Sequence, residues 1–247
     1  DDYHKVTKIN YKVRKAFGRR FLNPEELQEP RSEEKQITVI TPVYNSEKYI
    51  QNCIFSVASQ DYSMYNMVVV NDNSTDRTLE VIQETLELLP QKIRNKITVI
   101  NNTENHGAVY NQITNIRKYN DDRIIMLLDG DDSLINDPNI FHKYNNLYHD
   151  GAEFTYGSCW SMADNIPLIA QEYPPFIKQM RLYKDYKFNW NMPYTHLRTF
   201  TRRLLDNVHD YEFKSLTGSW YKAGGDNAVF YAILQKADPA KVICVPE

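Results

Sequence analysis

Residues 124–128 form an unbroken apolar run, Ile-Ile-Met-Leu-Leu, that stops at Asp129-Gly130-Asp131-Asp132. No other feature constrains the chain as strongly. A strand that buries Ile124 to Leu128 and then meets acids must present those acids at its exposed carboxyl end. In open α/β sheets that edge is where ligands bind. Carboxylates crowded this closely repel one another, and either a raised pKa or a bound cation relieves the repulsion. An all-oxygen donor set suits Mg2+ or Mn2+, ions that commonly share their coordination with substrate phosphates. The competing reading is a solvated turn rich in Asp and Gly.

The chain around this junction alternates regularly from Gln36 onward. Ile37–Thr41 reads as a short buried strand. Ser46-Glu47 opens a helix whose apolar face is Tyr49, Ile50, Cys53, Ile54 and Val57. Met67–Val70 is a second strand, and Asp76 caps a helix carrying Leu79, Ile82, Leu86 and Leu89 on one face. Ile97–Ile100 is a third strand, residues 107–119 a third helix, and Arg123–Leu128 the fourth strand. Strands alternating with helices imply right-handed crossovers and a mostly parallel central sheet flanked by helices, an α/β fold. After residue 150 the rhythm loosens. Glu153–Tyr156 and Leu197–Thr201 read as strands, and residues 158–195, rich in Pro, Tyr and Asn, as surface segments. Gly224-Gly225 leads into a helix bearing Val229, Phe230, Ile233 and Leu234, and Lys241–Val245 is a last strand. No second hydrophobic core shows in the pattern, so the expected layout is an arm over 1–35 and a single domain over 36–247.

The arm is basic first and acidic later. Lys5, Lys8, Lys12, Arg14, Lys15, Arg19 and Arg20 occur with no acid between Tyr3 and Asn23, and then Glu25, Glu26, Glu29, Glu33 and Glu34 follow. Such runs are commonly solvated tails or docking elements. The formal net charge is −3 over 247 residues, so no global basic field recruits nucleic acid. Cys53, Cys159 and Cys244 are too few and too scattered for a disulfide framework or a zinc site. No apolar run approaches the ~18 residues of a membrane span. Abundant Tyr, Asn, Ile and Lys with sparse Gly is the bias of an AT-rich genome and bears on origin, not function.

Three polar clusters close predicted parallel strands. They are Thr41-Pro42-Val43-Tyr44-Asn45, Asn71-Asp72-Asn73-Ser74-Thr75-Asp76 and Asp129-Gly130-Asp131-Asp132. They should meet at one sheet edge. In this order, and separated by helices, they resemble the family 2 glycosyltransferases of the GT-A (Rossmann-like) fold, over roughly residues 36–247. The resemblance implies a nucleotide-sugar donor, a divalent metal (Mn2+ or Mg2+) and inversion at the anomeric carbon. Pro42, Tyr44 and Asn45 would line the nucleoside pocket. Asp72 would accept a hydrogen bond from the base, typically N3–H of uracil, so that a UDP-sugar, UDP-glucose among them, is the implied donor. Its alternative role is a turn carboxylate. Asp131 and Asp132 would bind the metal, with Asp129 and Gly130 at the ribose or metal. Asn105, Gly107 and Asn111 match the family's third donor segment loosely. The basic residue usual at that helix start is missing, and a plain turn relieved by Gly107 is the alternative.

The family's catalytic base is an acid just before a late helix, often in a Glu-Asp pair. The matching stretch is Gly218-Ser219-Trp220-Tyr221-Lys222-Ala223-Gly224-Gly225-Asp226-Asn227, which implies Asp226 as the base, with a plain helix N-cap as its alternative role and Gly225 where the pair's Glu would stand. Asp206, Asp210 and Glu212 compete for the role. Met192–Phe200 resembles the segment beneath the acceptor. There His196 would contact acceptor or donor phosphate, or be a structural histidine bonded to the backbone, and Arg198, Arg202 and Arg203 would offer charge to the pyrophosphate or coat a strand. Trp190 and Trp220 would wall a sugar ring or pack in the core.

The processive signature Gln-x-x-Arg-Trp is absent, which argues for single-sugar transfer. The His-Leu-Arg-Thr-Phe segment and the composition are also similar to giant-virus glycosyltransferases that extend sugars on hydroxylysine, which implies a glycoprotein acceptor of collagen-like type. A sugar nucleotidyltransferase would want a Gly-rich basic loop where Pro-Val-Tyr-Asn-Ser stands. A non-catalytic carbohydrate- or protein-binding module on this fold is the other alternative. Asn73 heads a glycosylation sequon inside the expected donor site, which favours a compartment without that modification, such as a host cytoplasm.

Overall fold

A computed structural model of the chain describes residues 33–186, 195–222 and 225–245. Most of the expected arm, Trp190, Met192 to Tyr194 and Gly224 lie outside the described residues. In chain order the elements are β1 Ile37–Val43, α1 Ile50–Ala58, β2 Tyr65–Asn71, α2 Thr78–Glu87, α3 Gln91–Arg94, β3 Ile97–Asn101, α4 Ala108–Ile116 and β4 Ile124–Leu127. Then follow α5 Ile140–His149, β5 Phe154–Gly157, β6 Cys159–Ser161, β7 Ile166–Leu168, α6 Pro175–Met180, β8 Thr195–Thr201, α7 Gly225–Leu234 and β9 Val242–Val245. The chain divides into two compact units. Among the described residues, one takes 33–105 and Leu128–His149, and the other takes His106–Leu127 and those from Asp150 onward.

In the first unit β1 pairs with β2 and β2 with β3, all parallel. Every residue of β1 is buried. That requires cover on both faces, and the crossover helices supply it. Ile50, Cys53, Ile54 and Val57 of α1 and Ile82 of α2 are fully buried, the spacing of one helical face. Helix α5 sets Phe141 edge-on to Tyr65 of β2 at 5.3 Å and to Tyr62 at 5.9 Å. The chain emerging from β4 runs along β1, where Leu128 N donates to the Ile40 carbonyl at 3.2 Å.

In the second unit β8 lies antiparallel to both β4 and β5, and β5 is parallel to β9. The class is α/β, with mostly parallel sheet strands and flanking helices. Strands β6 and β7 form a separate hairpin. An aromatic core fills this unit. Phe154 meets Phe230 of α7 edge-on at 5.2 Å, and Tyr156 meets Tyr173 at 5.8 Å. Tyr173 meets Tyr183 at 5.0 Å. Among the described residues no helix is long and apolar enough to cross a membrane.

Several elements differ from the sequence expectation for identifiable reasons. Helix α1 starts at Ile50, because residues 46–49 form a turn in which Ser46 Oγ donates to the Tyr44 carbonyl instead of capping. Tyr49, expected on the apolar face, is therefore 52% exposed. The backbone N-cap of α2 is Arg77, and Asp76 acts one residue earlier, taking the Thr78 N–H at 2.9 Å. Tyr173 and Tyr183, in the stretch expected at the surface, are fully buried. They carry no period that a pattern could show, and each enters the core alone from a loop.

Candidate active site

The carboxyl end of β1 organises the first unit's edge. The Pro42 carbonyl accepts Gly130 N–H at 3.2 Å and the Val43 carbonyl accepts Asp72 N–H at 2.9 Å. The Asn71 carbonyl in turn accepts Asn102 N–H at 2.9 Å. The acidic motif, Asp72 and Asn102 thus follow one another around a single edge. Pro42 is buried beneath it, whereas Tyr44 and Asn45 are exposed upon it.

Asp72 is 2% exposed. A carboxylate at that depth needs hydrogen bonds to offset its lost hydration. Asn102 supplies one, its side-chain amide donating to Asp72 Oδ1 at 2.8 Å, and the Asn105 amide donates to the Asp72 carbonyl at 3.2 Å. Sequence reasoning passed over Asn102. The signal was the Asn-Asn-Thr run that begins on the last residue of β3, Asn101, which takes the Asn71 side-chain amide at 2.7 Å.

The loops after β1 and β2 are stitched together. Asn45, at φ 51, donates its N–H to Ser74 Oγ at 3.0 Å and takes the Thr75 N–H on Oδ1 at 2.8 Å. Ser46 N–H reaches Thr78 Oγ1 at 2.8 Å and Glu47 N–H reaches Asp76 Oδ2 at 3.2 Å, while Glu47 Oε2 takes the Arg77 N–H at 3.0 Å. Desolvation pushes the Asp76 carboxyl up. The hydrogen bonds from the Thr78 hydroxyl and amide and the Glu47 amide outweigh it and hold the group below its ordinary value.

Gly130 passes so close to β1 that a β-carbon there would lie 2.7 Å from both Cβ and Cγ2 of Val43. The acidic turn then closes with Asp132 N–H on the Asp129 carbonyl at 3.0 Å. It brings carboxylate oxygens of Asp129 and Asp132 within 4.8 Å of each other. Asp131, expected with Asp132 at a metal, is exposed beside them. Beneath the turn, buried Cys53 points its thiol at the Asp129 carbonyl, 3.7 Å away. Burial first, and then the charges of Asp132, Asp129 and Asp131, drive that thiol far above its ordinary range, so it stays protonated. The following loop is pinned to α1 by Leu134 N–H on Ser56 Oγ at 3.1 Å and by Gln60 Nε2 on the Asp137 carbonyl at 2.8 Å. Two half-buried carboxylates facing each other on a rigid turn fit a hard divalent cation.

The second unit holds the remaining expected residues. Asp226 lies in the first turn of α7 with its side chain 58% exposed, and Arg198 of β8, 6% exposed, brings Nη1 to 3.8 Å from its Oδ1. The three competing acids serve as braces. Asp206 pairs with Arg202, Asp210 with Arg117, and Glu212 with Lys236 at 3.4 Å. The hydrogen bond from Arg117 holds Asp210 below the usual carboxylate range, which weakens it as a proton acceptor. Arg203 braces Glu153 at 3.0 Å. Trp220 stacks with buried Phe213 at 6.3 Å and meets Tyr110 edge-on at 5.4 Å, and His106 lies against Tyr110 at 4.5 Å. Gly107, at φ 87, precedes α4, and buried Asn111 returns its side-chain amide to the Gly107 carbonyl at 3.1 Å. His196 stands on β8, half-buried. Gly225, where the resemblance expects an acid, packs α7 onto α4. A β-carbon there would lie 2.2 Å from Val109 Cγ2.

The model of the family described as "Glycosyl transferase family 2" matches residues 38–209, well over half of the chain. The chain belongs to glycosyl transferase family 2. Among curated members, the glycosyltransferase GlyA of Streptococcus pneumoniae is 47% identical over 53 residues, 22% of this chain and 8% of GlyA. The poly(ribitol-phosphate) beta-N-acetylglucosaminyltransferase TarS of Staphylococcus aureus is 33% identical over 101 residues, 39% of this chain and 16% of TarS. The chain therefore spans only a small part of the length of these relatives. TarS residues 1–349 have been solved in complex with UDP. That structure matches with a TM-score of 0.60 at 18% identity, covering 86% of this chain and 58% of the other. The mannosyltransferase PcManGT of Pyrobaculum calidifontis, solved with GDP-Man and Mn2+, matches with a TM-score of 0.54 at 17% identity, over 99% of this chain and 65% of its own. Both structures place this family 2 chain in the GT-A fold.

Proposed function

We propose that the chain transfers one sugar, with inversion, from a UDP-sugar to an acceptor hydroxyl, in a reaction that depends on a divalent cation. The observation that carries this reading is the edge of β1, where Asp72 and the Asp129–Asp132 turn hang from the adjacent carbonyls of Val43 and Pro42. Tyr44 and Asn45, exposed on that edge, would flank the nucleoside, and Asp72, oriented by Asn102, would accept N3–H of uracil. A complex of TarS with UDP supports the choice of base.

Asp129 and Asp132, with Asp131 beside them, would hold a cation of the Mn2+ or Mg2+ class, which when bound supplies Lewis-acid neutralisation of the leaving diphosphate. The Mn2+ in the PcManGT complex supports that choice. Asp226 accepts the proton of the acceptor hydroxyl as its oxygen attacks the anomeric carbon and the bond to the diphosphate breaks. A base in that position contributes ~10²–10⁴-fold, and a single displacement inverts the centre. Trp220, on its stack with Phe213, offers a sugar ring an apolar wall. UDP-glucose is the donor we put forward, and the acceptor is a sugar already linked to protein, of the kind borne by hydroxylysine in collagen-like chains. The His196–Phe200 segment supports that acceptor by its resemblance.

Calorimetric titration with UDP and with GDP, each with and without Mn2+, tests the donor site. UDP should bind in a Mn2+-dependent way, and Asp132→Ala should lose that dependence while remaining folded. Equal binding by wild type and Asp132→Ala would refute the metal assignment. Retained transfer by Asp226→Asn would move the base elsewhere.

A further inference from the structure

We propose that Arg198 is a positioning residue for Asp226, a buried cation on the sheet that fixes the exposed carboxylate as a base. The inference rests on the reading of Asp226 as the proton acceptor. Arg198 sits on β8, between β4 and β5, opposite Leu127 at the end of β4. Its side chain is 6% exposed, while that of Asp226, 3.8 Å away, is 58% exposed. A guanidinium is charged at every working pH. A buried charge is held by the groups it pairs with, and the Asp226 carboxylate is one such group for Arg198.

Two acids of the segment packed against α7 have partners of their own. Glu212 pairs with Lys236, and Asp210 with Arg117 and Lys214. Those pairs join groups near the surface. The Arg198–Asp226 pair instead reaches from a central strand to the first turn of a helix. A second observation fixes the other side. Gly225 lets the start of α7 sit against Val109 of α4 with no room for a β-carbon, which sets how closely the turn bearing Asp226 lies on α4. Strand and helix together hold one outward-facing carboxylate where an acceptor hydroxyl can reach it.

The test is steady-state turnover of UDP-glucose in the presence of Mn2+, followed as UDP release onto water, for the full chain and its variants. Arg198→Gln should lower kcat 10–100-fold with the donor KM within twofold of wild type, and Arg198→Lys should recover part of that loss. A kcat for Arg198→Gln within threefold of wild type, or a change confined to KM, would overturn the proposal. So would an Arg198→Lys variant no better than Arg198→Gln. Should Arg198→Gln not fold, as judged by circular dichroism, Arg198→Lys carries the test alone. A several-fold drop in its kcat at constant KM then supports the role and an unchanged kcat refutes it. Asp226→Asn separates the two readings. Wild-type turnover in Asp226→Asn removes the base itself. An inactive Asp226→Asn beside a fully active Arg198→Gln removes only the role given to Arg198.

Discussion

A β-carbon at position 225 would lie 2.2 Å from Val109 Cγ2 but 3.6 Å from its Cβ, whereas one at position 130 would lie 2.7 Å from both Cβ and Cγ2 of Val43. The two glycines therefore differ in how they can be rescued. Gly225→Ala should destabilise the chain by ~1–3 kcal/mol through overpacking. Adding Val109→Ala removes the offending methyl and should return most of the loss in thermal unfolding. A double variant no more stable than Gly225→Ala would show that the helix contact is not the cause. Gly130→Ala should not respond to Val43→Ala, because the clashing Cβ remains. Its main effect should fall on the acidic turn. Mn2+-dependent UDP binding should weaken at least tenfold in a chain that still melts cooperatively, and unaltered binding would mean that the turn tolerates displacement. The same contact explains a departure noted from sequence alone: the acid usual before Asp226 is replaced by glycine because α7 packs on α4 there.

At the scale of elements, the strand-ending motifs were readable and the bonds between their loops were not. Pro42–Asn45 and Asp72–Asp76 stand out as polar clusters closing apolar runs, since a buried strand must end where its residues become hydrophilic. Nothing in a linear pattern states that Asn45 will take the Thr75 N–H, or that Asp76 will brace the Glu47 N–H as well as that of Thr78. Those partners lie about thirty positions apart and are chosen by the register of β1 against β2. The acidic pair shows the same limit. The resemblance names Asp131 and Asp132, and no linear pattern states that the turn also brings Asp129 within reach of Asp132. The stitched loops give an expected outcome of their own. Asp76→Ala removes acceptors for three groups and should cost ~1–2 kcal/mol of stability, the range of a lost cap. Its UDP affinity should fall by about tenfold, because Tyr44 and Asn45 lose their support. Thr78→Val, which loses the hydroxyl serving both Ser46 and Asp76, should move both quantities in the same direction. Thr78→Val with reduced stability but unchanged UDP affinity would separate the loop bonds from donor binding.

For the molecule as a whole, the alternation of strand and helix was legible through β4 because each buried element there is continuous in sequence. It faded afterwards because part of the second unit's core, Tyr173 and Tyr183, is delivered one residue at a time by irregular segments. What holds that unit's sheet at its polar end is Glu153, which lies between β8 and β9. Its carboxylate takes the Asp238 N–H at 2.9 Å, Lys241 Nζ at 3.1 Å and Arg203 Nη2 at 3.0 Å. Desolvation raises this group, but the Asp238 amide, Lys241 and Arg203 together outweigh it and hold it below 4.5. A carboxyl whose folded pKa is depressed stabilises the fold above its unfolded value and loses that contribution as pH falls through the folded one. Glu153→Gln should therefore cost ~1–3 kcal/mol near neutral pH, the range for hydrogen bonds to a charged group. The gap between wild type and variant should narrow as the pH is taken below 4.5, because the protonated wild-type side chain comes to resemble the amide. Urea unfolding of both chains at a series of pH values from 7 to 3 measures that gap directly. A gap that stays constant across the series would assign the role of Glu153 to the shape of its hydrogen bonds and not to its charge.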